Sequence, residues 1–506
     1  MTLSQGLLQH LRSDTSDEPL PKRLKLAENV LLSPELPIVH KENCILKWLC
    51  NEISIENANT IWITIHHCLS LNPKTFSKLF PETKSLLIGK LRETLIQYPQ
   101  SYISEDIIKC CQYIFSNSQI NCSSKENSVI LLIKALLEFT LKVLDFDNFE
   151  KENFGYSIIV ECAEQAIGTF IQVCRHSLSG KKNFTSVFIK ELFFPLALLN
   201  KKLKSKNIPS KIAIEIEKCV KRLLLPFIKN INSINTDEND KNMKETEYIF
   251  NTIKDTVAVK QFEEVETAFT FLFQWSINAF SQNSVLIYRI LHRLVNCVNQ
   301  KHQARQILIS LLENSVDVTF SFEHEIEGVT LKTYLKTQIE EILSKNKHLK
   351  CSDYNLVAVI AKLNPLVIED MTQSILKKIV FENKKHKKEE IEYGKCFTEL
   401  WTASVRLRRQ HKFLSKFLIT VANFKEEKDS SFIDKFDLPE TFILKFKEDV
   451  KAKNTNAQMI AMFHTLNFHL QSDCYKVLKE SGPRIKKIKK NRKNDNRIYK
   501  LSTVFE

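Results

Sequence analysis

The chain has 506 residues, a formal net charge of +14, 43% apolar residues and only 8 glycines. An average protein of this length holds roughly 35 glycines; tight sheet turns, dinucleotide-binding loops and P-loops all consume them, so the scarcity disfavours those classes. What is left is a chain of long helices joined by polar turns, in several compact domains or one elongated array.

Residues 1–40 are polar and punctuated by Pro19, Pro21, Pro34 and Pro37, which reads as a disordered segment. Within it, Pro21, Lys22, Arg23 and Lys25 form a short basic cluster interleaved with leucine. In extended chain such a cluster fits the acidic, aromatic-lined groove of an import receptor, so it is the candidate nuclear import signal. The stretch Met1–Glu18 lacks the apolar core of a signal peptide.

From residue 41 to 229 the chain gives a first helical array. Amphipathic segments are expected over 44–53, 58–71, 83–98, 104–115, 128–144, 157–178, 185–199 and 212–228. Turn signals separate them, among them Asn72-Pro73, Pro81 and Pro99, while Pro195 and Pro226 fall inside apolar runs and should kink or restart their helices. The run Val129–Leu144 is the most hydrophobic, but it is shorter than the about 20 residues that a bilayer requires. It also carries Lys134, Glu138 and Lys142 on one face, so it reads as a buried helix and no membrane contact is expected.

Residues 230–246 are rich in Asn, Asp and Lys and read as a linker. A second array is expected over 247–472, with helices near 269–280, 285–298, 302–313 and 331–343. The clearest hairpins lie in Tyr354–Phe424. Leu356, Val359, Ile360 and Leu363 make one apolar stripe, Asn364-Pro365 breaks it, and Ile368, Met371, Ile375, Leu376 and Ile379 make the next. Two more stripes follow, through Phe397–Val405 and Leu414–Val421. Asp437-Leu438-Pro439-Glu440 reads as a helix start, and 457–470 as a helix. Helix, turn, helix repeated in this way is the pattern of an all-α array of antiparallel hairpins, a degenerate HEAT- or armadillo-like solenoid. Residues 473–506 form a basic tail, in which Arg484–Lys500 holds nine Lys or Arg against one Asp.

Motifs for chemistry are absent from the sequence. Gly89-Lys90-Leu91 lacks the hydroxyl residue and upstream glycine of a P-loop, and no GxSxG or HExxH occurs. The 13 cysteines form no CxxC pair, and Cys162, Cys174 and Cys219 sit on apolar faces as small hydrophobes in a reducing compartment. His66 and His67 point to different helix faces. No catalytic residue, cofactor or metal is therefore expected. Two basic clusters of the body are candidate RNA contacts: Lys384, Lys385, Lys387 and Lys388, and then Arg406, Arg408, Arg409 and Lys412. Arg484, Lys486, Lys487, Lys489, Lys490, Arg492 and Lys493 of the tail are further candidates, all through phosphate rather than base edges. The simpler reading of the two body clusters is solvated loops that keep the array soluble, and the tail reads also as a second nuclear or nucleolar address.

Several short stretches recur in the order found in a known family. They are Ile45-Leu46-Lys47-Trp48, Ile61–Leu71, Ile108–Ser116, Ile167-Gly168, Ala361–Leu366 with Glu369, Val405–Gln410 before Phe413-Leu414, and Asp437-Leu438-Pro439. In these the chain resembles the amino-terminal region of the unhealthy ribosome biogenesis protein 2 family, also called nucleolar pre-ribosomal-associated protein 2. The resemblance spans roughly residues 42–470. Family members are considerably longer, and the basic tail departs from their pattern. The resemblance implies a non-catalytic nucleolar scaffold for early assembly of the large ribosomal subunit precursor and pre-rRNA processing. Its implied partners are pre-ribosomal particle proteins, including nucleolar pre-ribosomal-associated protein 1, and pre-rRNA. The alternative reading is a nuclear HEAT-type transport receptor or adaptor, against which the net charge of +14 counts, because such inner surfaces hold basic cargo.

Overall fold

The computed structural model describes residues 6–7, 9, 11, 18–33, 36, 38–71, 74–117, 128–146, 154–176, 181–229, 239–281, 283–314, 331–344, 349–381, 390–427, 439–452 and 456–470. Among these residues the fold is all-α, without a strand. It divides into two units, Met1–Phe271 and Leu272–Glu506.

The first unit contains α1 (Leu20–Leu32), α2 (Lys41–Glu52), α3 (Ala58–Leu71), α4 (Thr75–Lys78), α5 (Pro81–Gln97), α6 (Glu105–Asn117) and α7 (Ser128–Leu144). It continues with α8 (Tyr156–His176), α9 (Lys181–Val187), α10 (Phe194–Ser205), α11 (Ile212–Cys219), α12 (Leu225–Lys229) and α13 (Asn239–Val257). Helices α1, α3, α6, α8 and α11 pack in one row, and α2, α5, α7 and α10 in a facing row. This stacking of helical hairpins is an α-solenoid, in which each pair buries the apolar face its neighbour exposes. Polar ties cross the helices: Trp62 Nε1 donates to Thr94 Oγ1 at 3.2 Å, and His66 Nδ1 lies 2.7 Å from Asp106 Oδ1.

Helix α7 shows how such a row is built. Leu132, Ile133, Leu136, Leu137 and Val143 are buried, while Lys134, on the predicted polar stripe, reaches Glu191 at 2.6 Å. Among the described residues no helix is long and apolar enough to cross a membrane. The two internal prolines are handled alike. A π-helical turn, Phe188–Phe193, runs straight into α10, where Pro195 is the second residue. Another, Val220–Leu224, runs into α12 with Pro226 in the same place. Proline lacks the N–H for an i→i−4 bond, and the widened turn absorbs the loss without a break in the helix.

Two expectations are corrected here. The described part of 1–40 is not disordered throughout: α1 packs on α2 and α3 with Leu24, Ala27, Val30 and Leu31 buried. Leucines that looked interleaved with cations are the apolar stripe of a helix. The expected linker at 230–246 also shortens, because α13 begins at Asn239 and packs on α12 and on the first π-turn. Residues 230–238 lie outside the described residues.

The boundary between units falls in α14 (Phe262–Ala279), past the expected linker. The second unit has α15 (Ser284–Asn296), α16 (Lys301–Glu313), α17 (Leu331–Leu343), α18 (Cys351–Leu363), α19 (Pro365–Leu376), α20 (Glu390–Arg406), α21 (Gln410–Glu427), α22 (Glu440–Lys451) and α23 (Ala457–Leu470). Again two rows form, α16, α18, α20 and α22 in one, α17, α19, α21 and α23 in the other. Asp353 carries the first row's main polar tie. Its buried carboxylate accepts from Arg305 of α16 and from the Lys350 backbone N–H at the start of α18, the latter at 3.0 Å. Further along, the fully buried Trp401 packs edge-on against Phe413 and Phe442 and tilted against Phe446, and its Nε1 donates to buried Asp449 Oδ2 at 2.6 Å.

Candidate functional site

Two turns bring the second unit's basic residues together. The first is Leu363-Asn364-Pro365. The Asn364 N–H closes α18 on Ile360 O at 2.8 Å, and Pro365, which needs no N–H partner at a first helical position, opens α19. The second lies between α20 and α21. The Arg409 N–H donates to Ser404 O at 2.8 Å and the Arg408 N–H to Val405 O at 2.9 Å, a Schellman closure of α20. Arg408 occupies the left-handed position with φ 55°, where glycine is the usual residue.

The two turns lie against each other because α18 stacks on α20 and α19 on α21. Arg406 Nη1 donates to Lys362 O at the end of α18. Such a contact satisfies a terminal carbonyl and favours the negative helix end. Glu369 of α19 gathers the others. It pairs with Arg409, its second oxygen lies 3.8 Å from Lys412 Nζ, and its backbone carbonyl accepts from Lys416 Nζ at 2.7 Å. The hydrogen bond from Arg409, reinforced by Lys412 and Lys416, holds the Glu369 carboxyl below the usual carboxylate range against the opposing effect of burial. Between the turns lies a small cleft, open to solvent, with Pro365, Ile368, Thr372, Leu400, Ser404 and Leu407 in its walls.

The predicted site residues are thus sorted. Arg406, Arg408, Arg409 and Lys412 do converge, all exposed, on one edge. However, three of the four also hold the fold together: Arg406 caps α18, while Arg409 and Lys412 lie on Glu369. Lys362 and Lys416 join the edge and were not singled out by sequence. The spacing of Arg409, Lys412 and Lys416, i, i+3 and i+7 on one helix face, was the available signal. Lys384, Lys385, Lys387 and Lys388, and Arg484, Lys486, Lys487, Lys489, Lys490, Arg492 and Lys493, lie outside the described residues.

The candidate import signal is not the extended segment it was expected to be. Pro21, Lys22, Arg23 and Lys25 lie on α1, with proline in its first turn. Lys22 and Lys25 are exposed, but Arg23 is 7% exposed; it donates to Leu11 O at 2.7 Å and lies 3.9 Å from Glu52. A receptor groove that reads an extended chain could not reach Arg23 in this state.

The described cysteines are all free thiols, and nine of them are buried. Burial pushes Cys50 and Cys68 each up to about 12, the behaviour of structural rather than nucleophilic thiols. His66 and His67 diverge, the first to Asp106 and the second to Glu28. Among the described residues no group of three or more His, Cys, Asp or Glu is placed to hold a metal ion.

The structure thus defines an all-α, solenoid-type protein with a cation-rich edge. No protein-family model and no curated protein matches the chain. A solved circular tandem repeat protein with novel repeat topology and enhanced subunit contact surfaces is similar over 95% of this chain and 97% of its own, at 12% identity and a TM-score of 0.29. At that score the likeness carries no argument, and the fold assignment stands on the helices described above.

Proposed function

We propose that the protein is a non-catalytic helical scaffold of the nucleolus, acting in early assembly of the large ribosomal subunit precursor and in pre-rRNA processing. One observation carries this reading. The two stretches of the second unit that carry the family resemblance, Ala361–Glu369 and Val405–Leu414, are forty residues apart in sequence and form a single edge, joined by the Arg409–Glu369 and Arg406–Lys362 contacts. The stacked hairpins suit the role, since each row offers a long surface to other proteins. The net charge of +14 suits a particle built around RNA. The partners on this reading are pre-ribosomal particle proteins, nucleolar pre-ribosomal-associated protein 1 among them, with pre-rRNA in contact through basic edges.

The test is affinity capture of the tagged full chain from nuclease-treated extract, alongside gradient sedimentation and fluorescence localisation. The reading expects nucleolar signal, co-sedimentation with large-subunit precursors and protein partners that survive nuclease. Diffuse cytoplasmic protein sedimenting alone would overturn it, and capture of import or export factors with basic cargo would favour the transport adaptor.

A further inference from the structure

The cation edge of the second unit has an internal competitor. Lys362, Arg406, Arg408, Arg409, Lys412 and Lys416 surround two turns, and one carboxylate among them, Glu369, is only 15% exposed and engages two of their side chains, while the exposed Asp370 follows it in the chain. We infer that this edge is a binding site for the phosphodiester backbone of RNA, and that Glu369 sets its affinity by holding Arg409 and Lys412 until phosphate replaces it. The inference deepens the scaffold reading and rests on it for the source of the RNA.

The physical argument has three parts. Arginine supplies half of the six cations, and its planar fork matches phosphate oxygens two at a time. Glu369 turns one carboxylate oxygen to Arg409 and the other toward Lys412, and the two free oxygens of a phosphodiester can take the same two places. The Arg409 side chain is 44% exposed and Lys412 52%, so a ligand can reach both without unfolding the turn. Arg408 differs from its neighbours. Its left-handed backbone, closed by the Schellman bonds, projects an exposed guanidinium from the tip of the turn. An acidic peptide would meet the same charges. The cleft beside them is open to solvent, with apolar Pro365, Ile368, Leu400 and Leu407 in its walls, so a poly-glutamate peptide is the competitor against which the oligonucleotide is tested.

The experiment measures binding of the full chain to a fluorescein-labelled single-stranded oligouridine 20-mer by anisotropy, across a salt series. Three proteins are compared: the natural chain, Glu369→Gln and Arg408→Gly. Glycine keeps the left-handed turn, so R408G removes a charge and leaves the backbone closure; thermal melts confirm that both variants are folded. R408G should weaken binding several-fold and lower the slope of log K against log salt by about 0.7, one phosphate contact on a single strand. E369Q should tighten binding several-fold and steepen that slope by up to about 1.4 as two cations are released. Ultraviolet cross-linking should place the oligonucleotide on the peptide that contains Gln410–Lys416. Unchanged slopes in both variants, or tighter binding of a poly-glutamate peptide than of the oligonucleotide, would overturn the site. If the slopes shift as expected while gradient sedimentation shows no precursor particle, the RNA site stands and the ribosomal reading fails.

Discussion

The buried pair Trp401–Asp449 offers the sharpest test of how the second unit is held. Consider Trp401→Phe. The substitution removes the indole N–H, which donates to Asp449 Oδ2 at 2.6 Å, and shrinks a ring packed against Phe413, Phe442 and Phe446. A hydrogen bond to a charged acceptor is worth about 1.5–3 kcal/mol, and its loss leaves a buried carboxylate short of a donor. The space vacated by the smaller ring adds about 1 kcal/mol in a core that collapses only in part. Together these reach about 2.5–4 kcal/mol, or a fall in Tm of roughly 10 °C for a unit of this size. The assay is thermal and urea unfolding followed by far-ultraviolet circular dichroism, with Asp449→Ala and the double variant completing a cycle. Coupling between the two positions should be at least about 1 kcal/mol. A Tm change below about 2 °C, or additive single variants, would refute the claim that this hydrogen bond joins α20 to α22.

Further outcomes follow from the same structure. Arg23→Ala should destabilise the amino-terminal helices by about 2 kcal/mol, since it strips a buried donor from Leu11 O and loosens α1, whereas Lys22→Ala should be nearly neutral. Limited proteolysis near α1 measures both, and equal sensitivity would argue for a solvated basic segment. Glu369 sets a pH dependence. Its folded-state pKa is depressed, so the stability it contributes is complete above the unfolded carboxylate value and is lost as pH falls through the folded one. The natural chain should therefore lose more stability on acidification below about pH 4.5 than E369Q does, and parallel pH–stability curves would show that the Arg409 contact is inert. Among the described thiols, the partly exposed Cys44 and Cys351 should react first with a maleimide in the native state. The buried Cys50 and Cys68, pushed up to about 12, should react only on unfolding, as mass mapping of the modified peptides would reveal.

Sequence alone determined that this protein is helical and where most helices lie. The apolar stripes at 58–71, 128–144, 331–343 and 457–470 became helices with those bounds, because a stripe at helical period and a breaker at its end are local facts. Asn364-Pro365 marked a turn for the same reason: the proline ring acts on its immediate neighbour whatever the fold. The prolines at 195 and 226 marked a disturbance, but only the structure showed that a π-turn absorbs each one.

Tertiary structure decided everything that depended on a distant partner. Charge can be counted along a chain, but whether a cation is solvated, capping or paired depends on what lies across from it. Arg23 looked like one of several exposed cations until α1 folded and turned it toward Leu11 and Glu52. Arg409 and Lys412 looked like a solvated turn until stacking of α19 on α21 set Glu369 beside them. The boundary between units likewise followed packing rather than composition, since the polar residues from Asn239 onward joined a helix that docks on the first unit. Periodicity fixes which face of a helix is apolar, and only the neighbours on that face decide what its charged residues touch.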